Sequence, residues 1–522
     1  MALAAKTVRK RPKAKRPLTR AASVKTAKAK TAKAKVAKAR PAAKPAGGLF
    51  GYDPGKYWCE LVDRRGKPRD HVRRVYERLS SLSIADLTHR AQAAERELFN
   101  LGITFTVYSQ RDQIDRILPF DVIPRLISTE DWSIVESGVV QRVAAMNKFI
   151  GDIYGKQHIL KDGVVPADLV LGNANYRKEM HGIRVPHGTY IHICGTDVVR
   201  GADGKFLVLE DNGRTPSGVS YVVENRLLTR RAFGDLIGDM PVRGVELYGE
   251  RLHAQLAALA PPAVLDPQVV LLSPGTYNSA YFEHIFLARE MGVPLVEGRD
   301  LVVERDRVYM KTIDGLQQVD VVYRRLNDDF LDPEVFVSDS QLGVPGIMRA
   351  YRAGTVALAN AVGTGIADDK AVYAYMPRII RYYLDQDPII ENVPTEICRE
   401  ADGLKYALAN LDKLVVKPVG ESGGYGITIG PRASKREIAE CRAKLVADPA
   451  NYIAQPMVDL SVCPCLINRN IEPRHIDLRP FCVTADRSWV LPGGLTRVAL
   501  RRGSIVVNSS QGGGSKDTWV IG

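Results

Sequence analysis

The stretch KFLVLEDNGRTPSGVSYVVENR, residues 205–226, places a carboxylate and an amide at the end of an apolar run and then turns at once through Arg-Thr-Pro-Ser-Gly. Alternation along a β-strand predicts that Glu210 and Asn212 share one face with Phe206 and Val208. A carboxylate and an amide placed together at a strand end suit a cation site, but the same residues also form ordinary Asx turns. Both interpretations remain open from this stretch alone.

The residues before this stretch supply a third oxygen ligand. TYIHICGTDVVRGADGKF contains the pair Asp203-Gly204, a favoured hairpin turn, which predicts that an antiparallel strand precedes the quoted one. This hairpin brings Asp197 towards the face that carries Glu210 and Asn212. Hard oxygen ligands suit Mg²⁺, which keeps several waters and takes further ligands from substrate phosphates.

A second motif lies about two hundred residues further on. VVKPVGESGGYGITI, residues 415–429, reads as an apolar strand ending in Lys417, a glycine-rich loop and another strand. Glycines let backbone N–H groups approach phosphates closely, and Lys417 would meet the phosphate charge. The loop matches neither the P-loop nor the dinucleotide fingerprint, and an ordinary glycine-rich hairpin is an equally open interpretation.

Two more segments carry residues suited to anions. RHIDLRPFCV predicts a strand with Asp477 and Arg479 on one face. GGLTRVALRRGSIVVNSSQGGGSKDTWV places Arg497 before a loop of small and amide residues, which suits a group that develops negative charge. A flexible surface loop is the alternative for that last segment.

The positive charge of the chain is confined to its first segment. The 522 residues carry a net charge of +14, but residues 1–46 hold sixteen Lys or Arg and no Asp or Glu, which leaves 57 basic and 59 acidic residues in the remainder. Segment 1–46 is rich in Lys, Ala and Pro and is predicted to be disordered. It could bind nucleic acid or an anionic surface non-specifically, or simply be a solvated extension, and the sequence favours neither.

Length, hydropathy and cysteine content narrow the class of protein. The length and the hydrophobic content of 45% suit two or three soluble domains. The basic start lacks the apolar stretch of a secretory signal and no run is long enough to span a bilayer, so we expect a cytoplasmic protein. Seven cysteines without paired metal-site spacing are predicted to be reduced and structural, including the close pair Cys463 and Cys465.

The order of predicted elements indicates an α/β protein. Residues 71–103 and 131–155 have the apolar spacing of amphipathic helices, with Asp131 as the predicted N-cap of the second. Residues 267–326 read strand, helix, strand, strand, which is typical of a Rossmann-like layer. Residues 405–522 form a second α/β segment.

Taken together, these motifs resemble those of the ATP-grasp ligases. Lys417-Pro418, the loop through Gly426, YIAQPMV with Gln455, DLR at 477–479 and NSSQGGG at 508–514 follow the order of that family. The metal ligands of the family normally come last, whereas the corresponding residues here come first. The chain therefore resembles the circularly permuted ATP-grasp family related to glutathionylspermidine synthase, from about residue 50 to 522.

The resemblance implies a fold and a domain order. The fold is α/β (α+β), a circularly permuted ATP-grasp fold with a Rossmann-like pre-ATP-grasp domain and a helical N-terminal region. The implied segments are a basic tail (1–46), the helical region (47–165), the permuted segment with the metal ligands (166–260), the pre-ATP-grasp-like domain (261–345) and the nucleotide-binding segment (346–522).

The resemblance also implies ATP and Mg²⁺ as cofactors and a role for each candidate residue. The metal ligands would be Asp197, Glu210 and Asn212; the nucleotide would meet Lys370, Lys417, Gly423, Gly424, Tyr425, Gly426 and Gln455; and Arg479, Arg497 and Arg214 would act on the reacting groups. Gln455 stands where many family members carry Glu.

The implied activity is ATP-dependent joining of a carboxylate to an amine through an acyl phosphate. The partners would be small-molecule or peptide acids and amines, which the sequence does not identify. Two alternatives stay open, a nucleotide-binding scaffold that has lost catalysis and a phosphotransferase.

Overall fold

The computed structural model describes residues 49–102, 104–108, 113–117, 119–420, 426–507 and 513–522. The basic segment 1–46 lies outside these ranges, as do residues 508–512 and the loop residues Gly423, Gly424 and Tyr425. The predictions made for them therefore stay predictions.

The helices of the described residues are α1 (Arg73–Ser81), α2 (Ile84–Asn100), α3 (Thr129–Ile153), α4 (His158–Lys161), α5 (Ala167–Leu171), α6 (Val219–Gly238), α7 (Tyr248–Ala257), α8 (Tyr281–Met291), α9 (Ile347–Ala353), α10 (Lys370–Ala374), α11 (Met376–Leu384), α12 (Ala401–Ala409) and α13 (Lys435–Ala447).

Capping residues decide where the N-terminal helices begin. The predicted helix 71–103 is divided in two, because Ser83 and Asp86 form a capping box that starts α2. The helix α3 begins behind Ser128, whose hydroxyl accepts the Asp131 N–H at 3.2 Å. The prediction of Asp131 as N-cap is therefore wrong, and its carboxylate instead pairs with Arg200 at 2.7 Å.

The strands of the described residues are β1 (Thr104–Tyr108), β2 (Gln113–Ile117), β3 (Phe120–Ser128), β4 (Ile193–Arg200), β5 (Phe206–Asn212), β6 (Val269–Leu272), β7 (Leu295–Val296), β8 (Leu301–Glu304), β9 (Arg307–Thr312), β10 (Gly315–Val319), β11 (Val321–Arg324), β12 (Ala357–Ala359), β13 (Glu391–Asn392), β14 (Glu396–Ile397), β15 (Leu414–Pro418), β16 (Thr428–Ile429), β17 (Tyr452–Pro456), β18 (Val462–Ile467), β19 (Asn470–His475), β20 (Phe481–Thr484), β21 (Ser488–Val490), β22 (Thr496–Val498) and β23 (Gly514–Ile521).

Three sheets frame the candidate site. The predicted hairpin is β4 and β5, at the centre of a sheet with the order β13-β5-β4-β20-β21. The glycine-rich segment lies in an antiparallel sheet of order β14-β17-β15-β16, which packs with α12 and α13 around a small core of its own. The Rossmann-like layer is a sheet of order β12-β11-β6-β7, in which every pair is parallel.

The Rossmann-like layer is more divided than its sequence pattern predicts. The pattern of PLVEGRDLVVERDRVYM predicts one strand, but this run forms β7, β8 and β9. Arg305 and Asp306 turn the chain between β8 and β9 with φ values of 49° and 57°, the left-handed conformation that suits a tight hairpin turn. The strand predicted at HIDLRPFCV also divides, since β19 ends at His475 and β20 begins at Phe481.

The main cores extend across the boundaries of the predicted segments. One cluster of buried side chains joins Ile127, Val208, Val322 and Ile380, which come from four of those segments. The described residues accordingly belong to one compact unit.

The cysteine prediction is confirmed, because all seven cysteines are buried free thiols. None of the helices that the structure describes is both long and apolar enough to cross a membrane.

Candidate functional site

The three predicted metal ligands lie on one face of the β4–β5 hairpin. Asp197 is directly opposite Glu210, and Gly195 is directly opposite Asn212. Partners across a ladder share a face, and so do residues two apart on one strand. The hairpin therefore brings Asp197, Glu210 and Asn212 together, as the sequence predicts.

The predicted neighbours of these ligands are wrong because the second strand contains a bulge. Val208 pairs with the residue after Asp197, which leaves Leu209 unpaired and shifts the register by one. Phe206 and Val208 therefore lie on the opposite face, in the core. Asp211 shares that buried face and pairs with Arg142 of α3 at 2.5 Å.

Two predicted arginines converge on Asp197. Nη2 of Arg479 donates to Asp197 Oδ2 at 2.9 Å and its Nε donates to Oδ1. Nη2 of Arg497 donates to Asp197 Oδ2 at 2.5 Å and to Asp477 Oδ2 at 2.5 Å. Burial alone would raise the pKa of Asp197, but the two guanidiniums hold it well below its usual range. Both arginines are thus already neutralised by carboxylates.

The two predicted nucleotide lysines both interact with the charge of Glu210. Nζ of Lys370 is 3.9 Å from a carboxylate oxygen of Glu210. The pKa of Lys417 is lowered to about 8, mainly by burial and also by the charge of Lys370, while Glu210 and Asp197 oppose the shift. Burial and the charge of Asp197 raise the pKa of Glu210, against the effect of Lys370. A phosphate bound beside these lysines would stabilise their positive charges, which burial away from water disfavours.

These residues line a cleft and a cavity. The apolar cleft, of about 230 Å³, lies between β5 and the sheet of β15, β16 and β17. Its walls include Leu209, Val415, Lys417, Ile429, Gln455 and Met457. The polar cavity, of about 610 Å³, is lined by Asn173, Glu210, Asn212, Arg214, Asp368, Lys370 and Gly420 among others.

Of the predicted nucleotide residues, Gln455 lines the cleft and Gly426 lies in the turn before β16. Gln455 is buried on β17, and its amide donates to the Thr395 hydroxyl at 2.9 Å. Gly426 has a φ of 70°, and a Cβ there would lie 3.1 Å from Cγ of Pro418. A side chain at Gly426 would thus be both strained and crowded.

Sequence reasoning missed two residues that hold the turn after Asn212. Oδ1 of Asp368 accepts the N–H of Gly213 at 2.6 Å and that of Arg214 at 3.2 Å. The Asn360 amide donates to the carbonyl of Gly213 at 2.8 Å and to that of Arg214 at 3.2 Å. Burial raises the pKa of Asp368 to about 6. In the sequence, the only local sign of this role was that Asp368 and Asp369 directly precede Lys370, a predicted nucleotide residue.

The donor set fits a magnesium ion. Asp197 accepts three hydrogen bonds from the two arginines, which leaves about one of the four acceptor sites of a carboxylate free. The Asn212 amide nitrogen donates to the Gly195 carbonyl at 3.2 Å, so the amide oxygen is available to a cation. Together with Glu210 this is an oxygen set of the kind Mg²⁺ uses with phosphates. Within the described ranges, no group of three or more His, Cys, Asp or Glu side chains is arranged to hold a metal by itself, so amide and phosphate oxygens would complete the set.

Two sheets that enclose a cleft, with a half-buried lysine on one and oxygen ligands on the other, define an ATP-grasp nucleotide-binding fold. The chain belongs to the circularly permuted ATP-grasp type 2 family, whose model matches residues 124–499. This confirms the family and the permuted fold that the order of motifs predicts.

Its relatives include proteins without a described activity and proteins named as ligases. An uncharacterized protein of Synechocystis sp. is 52% identical over 91% of this chain and 98% of its own length. An uncharacterized protein of Mycobacterium tuberculosis is 49% identical over 88% of this chain and 83% of its own length. A Frankia alni protein, provisionally named glutamate–cysteine ligase 2-3, is 43% identical over 90% of this chain but only 54% of its own length.

The fold also matches a solved structure. A glutathione synthetase-like effector of Globodera pallida superposes with a TM-score of 0.54 at 12% identity, covering 84% of this chain and 98% of that chain. At this identity the likeness concerns the fold. The family and the ligase-named relatives together support an ATP-dependent ligase.

Proposed function

We propose that the protein is an ADP-forming carboxylate–amine ligase that acts through an acyl phosphate. The observation that carries the proposal is that Lys370 and the oxygen ligand Glu210 line the polar cavity, while Lys417, whose charge interacts with both, lines the apolar cleft. Reactions at a phosphoryl group need positioning and charge neutralisation more than a covalent protein nucleophile. This site offers both.

The nucleotide would lie along the cleft, with its base and its phosphates in different surroundings. The adenine would enter between the apolar walls beside Gln455, whose buried amide lies on β17. The phosphates would extend past Lys417 to Lys370, where the two positive charges offset theirs. The glycine-rich loop would cover them from the side of Gly426.

In the first step, an oxygen of the substrate carboxylate attacks the γ-phosphorus of ATP, ADP leaves, and an acyl phosphate forms. When bound at Glu210 and Asn212, with Asp197 beside them, Mg²⁺ would neutralise charge on the phosphates. Lys370 and Lys417 would hold the ADP phosphates as they leave.

In the second step, the amine nitrogen attacks the acyl carbon, phosphate leaves with the C–O electron pair, and the nitrogen loses a proton to give the amide. Arg214 lines the polar cavity next to Asn212, so it is placed to meet the departing phosphate. Arg479 and Arg497 would act mainly by fixing Asp197, because their donors are already engaged with carboxylates.

The identity of the acid and the amine is open to a directed screen. The name of the Frankia relative supports glutamate and cysteine as one pair to test. Since this chain corresponds to only about half of that protein, other amino acids and peptides belong in the same screen. We also propose that the basic segment 1–46 provides non-specific contact with nucleic acid or an anionic surface.

The test begins with Mg²⁺-dependent ATP binding to the full-length chain. We expect Lys417→Ala and Glu210→Gln each to weaken binding at least about tenfold, since each removes a charge that faces the phosphates or their metal. Lys413→Ala is the matched control, because Lys413 is exposed just before the same strand. A folded wild-type chain that does not bind ATP would refute the proposal.

Product analysis then separates the proposed reaction from its alternatives. ADP release with an acid and an amine together should yield an amide. A phosphorylated acid that accumulates as the stable product when the amine is present would indicate a phosphotransferase. ATP binding without turnover on any acid and amine would favour a scaffold.

A further inference from the structure

The carboxyl edge of the parallel sheet β7-β6-β11-β12 holds a turn of the chain itself. In open parallel sheets, this edge is where ligands usually bind. Here Arg325 directly follows β11, and its Nη1 donates to the carbonyl of Pro216 at 2.6 Å. Asn360 directly follows β12 and donates to the turn at Gly213. The turn between β5 and α6 therefore occupies part of the crevice.

A buried ion pair holds the far end of the same turn. Oε2 of Glu283, on α8, accepts the N–H of Gly218 at 2.6 Å and both the N–H and the hydroxyl of Ser220, at 3.2 Å and 3.0 Å. Its Oε1 pairs with Nη2 of Arg325 at 2.9 Å. The side chains of Glu283 and Arg325 are only 1% and 2% exposed, so this pair is almost completely shielded from water. Burying such a pair costs free energy, and the hydrogen bonds that both side chains make to the turn offset part of that cost, while Nε of Arg325 has no hydrogen-bond partner among the described residues.

The turn connects this ion pair to the candidate metal site. The carbonyl of Ser217 accepts a hydrogen bond from Nη1 of Arg479 at 3.2 Å. The other donors of Arg479 hold Asp197. At its start, the turn follows Asn212 without an intervening residue. A shift of the turn would therefore move a guanidinium that orients Asp197 and the strand end that carries Asn212.

We infer that Glu283 and Arg325 are positioning residues for the nucleotide and metal site, and that the parallel sheet contributes to Mg–ATP affinity through the turn at residues 213–218 and the start of α6. The inference rests on the proposed function. Neither residue lines the apolar cleft or the polar cavity, so each acts through the turn and not on the nucleotide directly. Partners that orient the ligands of a metal typically change its affinity about 10- to 100-fold when they are replaced.

The alternative is that the ion pair only stabilises the fold. A matched control distinguishes the two, because Arg226 and Asp517 form an equally buried pair at 2.9 Å whose contacts do not include the turn. Asp517→Asn should lower stability but leave Mg–ATP binding unchanged. Glu283→Gln should lower both stability and affinity.

The experiment is a titration of the full-length chain with ATP at several fixed Mg²⁺ concentrations, beside a urea unfolding curve for each variant. We expect Glu283→Gln and Arg325→Lys to weaken Mg–ATP binding about 10- to 100-fold and to raise the Mg²⁺ concentration needed for half-maximal binding. Ser220→Ala, which removes only the hydroxyl donor to Glu283, should give a smaller loss in the same direction. It provides the comparison if Glu283→Gln does not fold.

The possible results separate failure of the inference from failure of the proposed function on which it rests. Wild-type binding that persists unchanged in the folded Arg325→Lys and Ser220→Ala variants overturns the inference alone. The inference also fails if Asp517→Asn loses affinity in proportion to its stability. A folded wild-type chain that does not bind Mg–ATP overturns the proposed function, and the inference with it.

Discussion

The pH dependence of ATP binding should report the charge state of Lys417. Burial lowers the pKa of its ammonium group from the ordinary value of 10.5 to about 8. A phosphate that binds beside it favours the charged form, so the pKa of Lys417 rises in the complex. Above about pH 8, binding must therefore take up a proton, and affinity should fall as the pH rises.

The size of the effect follows from that pKa. With one coupled proton, the apparent dissociation constant of Mg–ATP should rise about tenfold between about pH 7 and about pH 9, equivalent to about 1.4 kcal/mol. The limiting slope above the pKa is about one logarithmic unit per pH unit. Calorimetric titrations in buffers with different ionisation enthalpies would measure both the affinity and the number of protons taken up.

Two variants provide the controls. Lys417→Arg keeps a positive charge at every accessible pH, because the guanidinium pKa is above about 12, so its affinity should change much less over this range. Lys417→Ala should bind weakly throughout and be equally insensitive to pH. A wild-type affinity that does not fall, or falls with the same slope in all three proteins, would refute the assignment of this titration to Lys417.

Three other predictions concern stability and the basic segment. Arg142→Met leaves the carboxylate of Asp211 buried without its partner and should cost about 3–5 kcal/mol in the free energy of unfolding, measured with urea; a loss below about 1 kcal/mol would contradict it. Gly430→Ala places a Cβ in direct overlap with the Leu411 carbonyl oxygen and should cost at least about 1–3 kcal/mol, whereas an unchanged unfolding midpoint would refute the crowding. A chain that starts at residue 47 should elute from a DNA column at lower salt than the full chain, and identical elution would exclude a binding role for the basic segment.

Residue periodicity and motif order are sufficient to predict the family, the permuted arrangement and the main elements near the site. The Asp-Gly turn and the apolar alternation specify the hairpin locally, so these short-range signals predict that Asp197 approaches the face of Glu210, as it does in the structure. The segment around Lys417 likewise forms the predicted antiparallel strands β15 and β16. The hairpin and these strands depend on residues that are near in sequence, so their formation can be predicted from short stretches.

Local patterns fail where a distant contact decides the outcome. The alternation of side chains predicts Phe206 and Val208 beside Glu210, but the bulge at Leu209 reverses the face. The bulge lets Asp211 enter the core to meet Arg142, a residue 69 positions away. A one-residue shift in register cannot be read from alternation, because both registers satisfy the same local pattern.

The types and the order of residues along the chain are enough to identify which side chains could serve the phosphates and the metal, because both are chemical properties of the sequence. How those side chains are held depends on contacts that exist only in the folded chain. Folding joins Arg479 to Asp197, and it brings Glu283 and Arg325 to the turn that follows the metal ligands. Contacts across 65 and 109 positions leave no periodic signal, and they form only because burial makes each unpaired charge or backbone group costly.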